Sequence, residues 1–365
     1  MFSYCHRSAR PDLFALLRTV AKDHAFPSLS LLKDREVSWI IEAGLGPLFW
    51  FASQKEARTK SPSRDFKSAD LTTRLINQIQ LETLSEILLR CKGLLPPITL
   101  LKGSSTGSEL YPEPHLRVMR DLDLLVEPKD QPKLESVLVE MGFQQRSTNN
   151  AEFYAMHHHS MPFYHAGKDV WVEVHRGLFP DNSQLAKLAI FNPENITAEL
   201  RPSLLKGIPV MRLSTELQIV YTASHWALDL KRRGGLFPIL DIIYLLRRAQ
   251  QNIRWDAIFK WVQGSVAATH LYLALSYLNK NKAVDLDNKI LADLFGRQRS
   301  FGRVNLKIAH YLITRYIVTG KIPISPWRLA VFWDNLLLDH GAARNLIFAS
   351  KNILPSFGLR RAPLN

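Results

Sequence analysis

Leu13, Leu16, Leu17 and Val20 recur at helical spacing, and a second apolar group follows Ser38, so residues 11–52 are expected to form helices. Residues 53–69, SQKEARTKSPSRDFKSA, carry almost no large apolar side chains and interrupt the pattern as an exposed linker or loop. A longer helix is expected over about 70–91. Leu71, Ile76, Ile79, Leu81, Leu84, Ile87 and Leu88 are its candidate buried side, and Lys92-Gly93 ends it. The period then falls to two. Residues 98–101 form a short apolar strand that runs into Lys-Gly-Ser-Ser-Thr-Gly, and residues 121–126, Asp-Leu-Asp-Leu-Leu-Val, form another. Asp130 is placed to cap a helix in which Leu134, Val137, Leu138 and Met141 share a face, with Gly142 as its stop. Two more strands, about 160–165 and 170–175, flank the turn Gly167-Lys168-Asp169. From Ser214 the pattern is helical again, through Leu230, then over about 237–248, 255–263, 270–278 and 296–340, with Pro323 and Pro326 interrupting the last. The tail beyond Leu354, rich in Pro, Gly and Arg, is expected to be loosely held. This order implies an α+β fold: a mixed sheet with helices on one side over residues 94–212, between helical regions at 1–93 and 213–365.

With 365 residues, 46% of them hydrophobic, the chain can bury a large core and more than one substructure. Lys and Arg number 47 against 33 Asp and Glu, a formal charge of +14. Such a surplus favours polyanionic partners: nucleoside triphosphates, RNA or an anionic membrane surface. The basic residues are scattered, however, so charge alone does not choose among them. Cys5 and Cys91 are the only cysteines, too few and too ordinarily placed for a disulfide framework or a zinc site. The start, MFSYCHRSAR, lacks the apolar stretch of a signal peptide. The apolar run over 39–52 is broken by Glu42 and Gly-Pro and is too short to cross a bilayer. A cytoplasmic chain without an integral membrane segment is expected.

Candidate chemistry centres on Asp121 and Asp123. Residues two apart on a strand point the same way, so these two carboxylates face out together while Leu122 and Leu124 face the core. Adjacent carboxylates repel unless a cation lies between them, and hard oxygen ligands suit Mg²⁺ or Mn²⁺. Upstream, Lys102-Gly103-Ser104 sits where a strand gives way to a helix, a junction whose free N–H groups can hold phosphate. Downstream, Val170, Val172 and Val174 face one way, leaving Trp171, Glu173 and His175 on the other, with Glu173 as a third carboxylate. Three acidic groups beside a phosphate-binding turn suit two-metal phosphoryl transfer.

The run LLKGSSTGSELYPEPHLRVMRDLDLLV, followed by WVEVH, resembles a bacterial group known as an uncharacterised nucleotidyltransferase family, whose members share the polymerase-beta-like fold. The resemblance continues through SHWALDLKRRGGLFPILDIIYLLRR and IRWDAIF and spans roughly residues 10–290. It implies that Asp121, Asp123 and Glu173 hold metal, that Lys102, Gly103 and Ser104 form the phosphate-binding turn, that Arg117 touches phosphate, and that His175 stands beside Glu173. Two features depart from the family pattern. The third position is usually Asp, in an Asp-x-His pair, and here it is the longer Glu173. The gap between Ser104 and Asp121 also exceeds that of the minimal motif.

Further positions carry weaker signals. His157, His158 and His159 are consecutive, and in a strand at most two could share one ion, so a half-exposed strand start is expected, with His159 near Glu173 if the strands pair across Gly167. His225 and Asp229 share a helix face ahead of Lys231, Arg232 and Arg233 and could border a cleft or merely end a solvated helix. Asp241 stands in an apolar helix as a capping or packing residue, drawn towards the site by the resemblance. Residues 303–333 read as amphipathic packing before an RNA or membrane surface. The expected function is metal-dependent transfer of a nucleoside monophosphate from an NTP to a hydroxyl or phosphate acceptor (RNA or tRNA, protein, or small molecule), with release of pyrophosphate. The acceptor's proton would pass to Glu173, His175 or water on the metal. The alternatives are a non-catalytic nucleotide-binding or scaffolding protein and, more remotely, a peripheral membrane or assembly protein. Neither the acceptor nor the oligomeric state is written in the sequence.

Overall fold

The computed structural model describes residues 34–54, 64–155, 157–181, 183–229, 236–249 and 252–297. Expectations for 11–33, Lys231 to Arg233, 298–340 and the tail fall outside them. The chain opens with helices α1 (Asp34–Glu42), α2 (Gly46–Gln54) and α3 (Arg64–Cys91). Helix α3 starts earlier than the composition implies, because Phe66 is buried and packs against Phe49 of α2. Its buried row is Phe66, Asp70, Asn77, Gln80, Leu81, Leu84, Ile87, Leu88 and Cys91, while Leu71 and Ile76 of the expected row are exposed. Polar side chains that find partners displace apolar ones from this stripe. Asp70 accepts from Arg74 Nε and lies 2.7 Å from His115 Nε2, and the Gln80 amide donates to the Met119 carbonyl.

The central sheet has seven strands in the order β3-β4-β5-β2-β1-β7-β6. They are β1 (Thr99–Leu100), β2 (Leu122–Leu125), β3 (Gln144–Gln145), β4 (Phe163–His165), β5 (Val170–His175), β6 (Leu200–Leu205) and β7 (Ile208–Leu213). β2 runs parallel to β5 and antiparallel to β1, and β1 runs parallel to β7, so the sheet is mixed. The β6–β7 hairpin has no counterpart in the sequence expectation. Its signal is Lys206-Gly207, both at positive φ, between two apolar runs. After β1 comes α4 (Lys102–Leu110), and α5 (Gln131–Glu140) links β2 to β3. Asp130 occupies the N-cap of α5 but makes no side-chain capping bond. Short α6 (Ala151–Ala155) and α7 (Pro193–Ala198) lie in the later crossovers.

One sheet face packs Leu122, Leu124, Phe163, Val172, Val174 and Val210 against Leu84, Ile87 and Leu88 of α3 and Leu134, Val137 and Leu138 of α5. A second, larger core joins α1 and α2 to the C-terminal helices α8 (Thr215–Asp229), α9 (Leu236–Ala249), α10 (Trp255–Val262), α11 (Val266–Lys280) and α12 (Asn288–Arg297). The fold is thus α+β, a mixed sheet flanked by helical regions from both ends of the described chain. Among the described residues, no helix is long and apolar enough to cross a membrane.

Candidate active site

Alternation along β2 and β5 builds the site. Leu122 and Leu124 are buried in the core, so Asp123 turns to the opposite face; the parallel register then sets Asp123 beside Glu173 and Leu125 beside His175. His175 Nε2 lies 2.9 Å from Asp123 Oδ1 and 3.5 Å from Glu173 Oε2. Lys102 arrives from β1, where the Leu101 N–H donates to the Asp123 carbonyl at 3.1 Å. Its Nζ sits 2.7 Å from Asp123 Oδ1 and 3.8 Å from Glu173 Oε2. Lys102 opens α4 at φ +44°, a left-handed conformation that costs a non-glycine residue about 1 kcal/mol and turns its side chain across the strand ends.

One ligand atom each from Asp123, Glu173 and His175 lies within 4.8 Å of the other two. Asp121 stands just before β2, half-buried, outside that close group but within its field. Burial, then the charge of Asp123, raises the Asp121 carboxyl to about 7. Burial opposes ionisation of Asp123 too, but Lys102 and the hydrogen bond from His175 hold it far below the carboxylate range. Desolvation opposes ionisation of half-buried Glu173 as well, and His175 and Lys102 outweigh it, bringing it down to about 2. Burial works to lower the pKa values of His175 and Lys102, and their carboxylate partners outweigh it, so both are raised. The cluster therefore holds its own counter-charges. Two converging carboxylates, with a third alongside, make a set of hard oxygen donors that fits Mg²⁺ or Mn²⁺.

The structure gives other expected residues different surroundings. Ser104 Oγ accepts from the backbone N–H of Asp123, tying α4 to β2. A Cβ on Gly103 would lie 2.7 Å from Met119 Cγ, so this glycine permits close packing of α4 on the segment before β2. Arg117 lies in that segment, buried, with Nε and Nη2 on the Asp241 carboxylate, Nη1 on the Val118 carbonyl and its guanidinium over the Phe237 ring. Asp241 on α9 also accepts from Tyr111 and Thr106. The pair fastens α9 to the segment before β2. His225 is half-buried against Tyr221 on α8.

Two further residues stand at the site, one without a sequence signal and one expected there. Tyr221, buried on α8, lies close enough to Lys102 to bear on its charge; nothing in a helical apolar run marks such a tyrosine. His159 makes an isolated bridge with His175, and its Nε2 stands 3.8 Å from Glu173 Oε2, the neighbourhood that pairing across Gly167 implies. A cavity of about 260 Å³ lies elsewhere, towards the C-terminal ends of β2 and β5, lined by Pro97, Leu125, Arg176 and Ile196, and holds none of the acidic cluster.

No curated protein matches the chain. A crystal structure of an antigenic nucleotidyltransferase-like protein from Paracoccidioides brasiliensis aligns with a TM-score of 0.36 and 17% identity, over 60% of this chain and 94% of that one. A family model described as "Uncharacterised nucleotidyltransferase" matches residues 33–281, a span that holds the whole sheet, the acidic cluster and the Arg117–Asp241 clasp. The chain belongs to this nucleotidyltransferase family.

Proposed function

We propose that the chain transfers a nucleoside monophosphate from an NTP to a hydroxyl or phosphate acceptor, releasing pyrophosphate, with Mg²⁺ or Mn²⁺ as cofactor. The observation that carries this reading is the in-register pairing of β2 with β5, which sets Asp123 and Glu173 side by side at the start of α4. Asp121, Asp123 and Glu173 would hold the divalent ion, which when bound supplies charge to offset the triphosphate and the departing pyrophosphate. Lys102, close to Asp123, is placed to move its ammonium onto phosphate oxygens, and the first N–H groups of α4 have no partner within the helix. The acceptor oxygen bonds to the α-phosphorus as the bond to the bridging oxygen breaks. Its proton passes to water at the cluster, because Glu173, brought down to about 2 by His175 and Lys102, is too weak a base to keep it. His175 holds Asp123 in place by its hydrogen bond, and Gly103, Ser104 and Arg117 fix α4 and its surroundings.

The same reading takes residues 94–212 as a catalytic unit of the polymerase-beta-like kind, and the +14 charge supports RNA or tRNA as the acceptor ahead of neutral small molecules. One observation favours a second reading, a nucleotide-binding module without chemistry: the Lys102 ammonium already lies between the two carboxylates. Calorimetric titration separates the two. Removing a competing cation with Lys102→Ala should tighten Mg²⁺ binding and weaken binding of a non-hydrolysable NTP by roughly tenfold, about 1.4 kcal/mol. Mg²⁺ binding that is absent in both proteins, with NTP binding intact, would favour the module.

A further inference from the structure

We propose that His157, His158 and His159 form a second metal site, built of nitrogen ligands, that takes a first-row transition ion of the Zn²⁺ class beside the carboxylate cluster. The sequence argues against it, because three consecutive residues of a strand cannot point the same way. The backbone removes that objection. Residues 157 and 158 lie in a bend after α6, and only His159 makes a bridge, to His175. Freed from alternation, the rings converge, with centroids 4.4 Å apart for His157 and His158, 4.2 Å for His157 and His159, and 5.0 Å for His158 and His159. One ring nitrogen from each lies within 4.8 Å of the other two.

Two details match what a metal asks of imidazole. His159 Nδ1 lies 2.7 Å from the Ser160 carbonyl, which can only accept, so the proton sits on Nδ1 and Nε2 keeps its lone pair. His158 Nδ1 is buried without a hydrogen-bond partner, and a buried polar atom left in that state calls for one. Three imidazoles suit Zn²⁺ and its neighbours in the series and do not suit Mg²⁺, which prefers oxygen. A fourth donor is at hand: Glu173 Oε2, 3.8 Å from His159 Nε2, stands between the nitrogen group and Asp123. The inference stands whether or not the carboxylates perform nucleotidyl transfer.

The test is metal binding by the tag-free full chain in excess Mg²⁺, with Co²⁺ as the spectroscopic probe and Zn²⁺ measured by competition. One Co²⁺ per chain with visible bands of low-coordinate nitrogen ligation is expected, displaced by Zn²⁺. His157→Ala, at a half-buried position that a folded chain tolerates, and His158→Gln should each weaken Zn²⁺ binding at least about 100-fold, whereas Asp123→Asn should leave it within a few-fold. No Co²⁺ bands in the wild type would overturn the proposal. So would Zn²⁺ binding abolished by Asp123→Asn and untouched by the histidine variants, which would assign the ion to the carboxylates.

Discussion

Asp121 and Asp123 are two residues apart, yet their surroundings drive them in opposite directions. Lys102 and His175 contact Asp123 and keep it ionised, whereas Asp121 feels burial and the charge of Asp123 and rises to about 7. The sign of the consequence is fixed. A carboxyl raised in the folded state from 3.8 favours folding below the unfolded value, and that contribution is lost as pH rises through about 7. Glu173, held at about 2, contributes stability that is present above its unfolded value near 4.5 and lost only at more acid pH. In urea titrations at a series of pH values, Asp121→Asn should therefore remove a loss of stability that the wild type shows between about pH 4 and pH 7. An unchanged slope would show that Asp121 is not so perturbed. Asp123, Glu173 and His175 are legible because alternation on two strands fixes which side chains share a face, and Lys102 because it stands where a strand gives way to a helix. The destination of Arg117 is not, since a sequence shows an arginine near the site but not that Asp241, 124 positions away, occupies its guanidinium.

Helix α4 and the segment before β2 depend on contacts that no local pattern reveals. A Cβ on Gly103 would meet Met119 Cγ at 2.7 Å inside the core. Gly103→Ala should cost about 1–3 kcal/mol in overpacking against about 1 kcal/mol returned by helix propensity, a net loss of roughly 1 kcal/mol by chemical denaturation. A clear gain in stability would mean that this packing is looser than the distance implies. The Arg117–Asp241 clasp predicts a larger effect: Asp241→Ala strands a buried guanidinium and should cost about 3–5 kcal/mol. The double variant with Arg117→Ala should cost well below the sum of the two single changes, and strict additivity in that cycle would contradict the clasp. The period-two strands and helices α8 to α11 are readable, because their buried rows are apolar, whereas α12, which buries little beyond Leu294, is not. On α3 the apolar pattern misleads: Asp70 and Gln80 hold core positions through specific partners, so Leu71 and Ile76 are left to solvent. The β6–β7 hairpin carries little sequence signal because Pro202 and Pro209 disguise its strands, and only Lys206-Gly207 marks the turn.

The two hydrophobic cores meet across the sheet: one lies between the sheet and helices α3 and α5, the other joins the first helices to the last. The α+β class is readable from the alternation of helical and period-two segments, but no local pattern shows that α1 and α2 pack with C-terminal helices, since that contact closes across some 200 residues of chain. The arrangement leaves Asp123 and Glu173 on the sheet face opposite α3 and α5, beside α4 and within the influence of Tyr221 on α8. Nucleotide transfer by this cluster is tested by incubating the full chain and Asp123→Asn with each α-³²P-labelled NTP, Mg²⁺ or Mn²⁺, total RNA and cell extract. Metal-dependent label on an acceptor is expected with the wild type, with a loss of roughly 100-fold or more for the variant. No label on any fraction while the NTP remains bound, or equal labelling by both proteins, would contradict it.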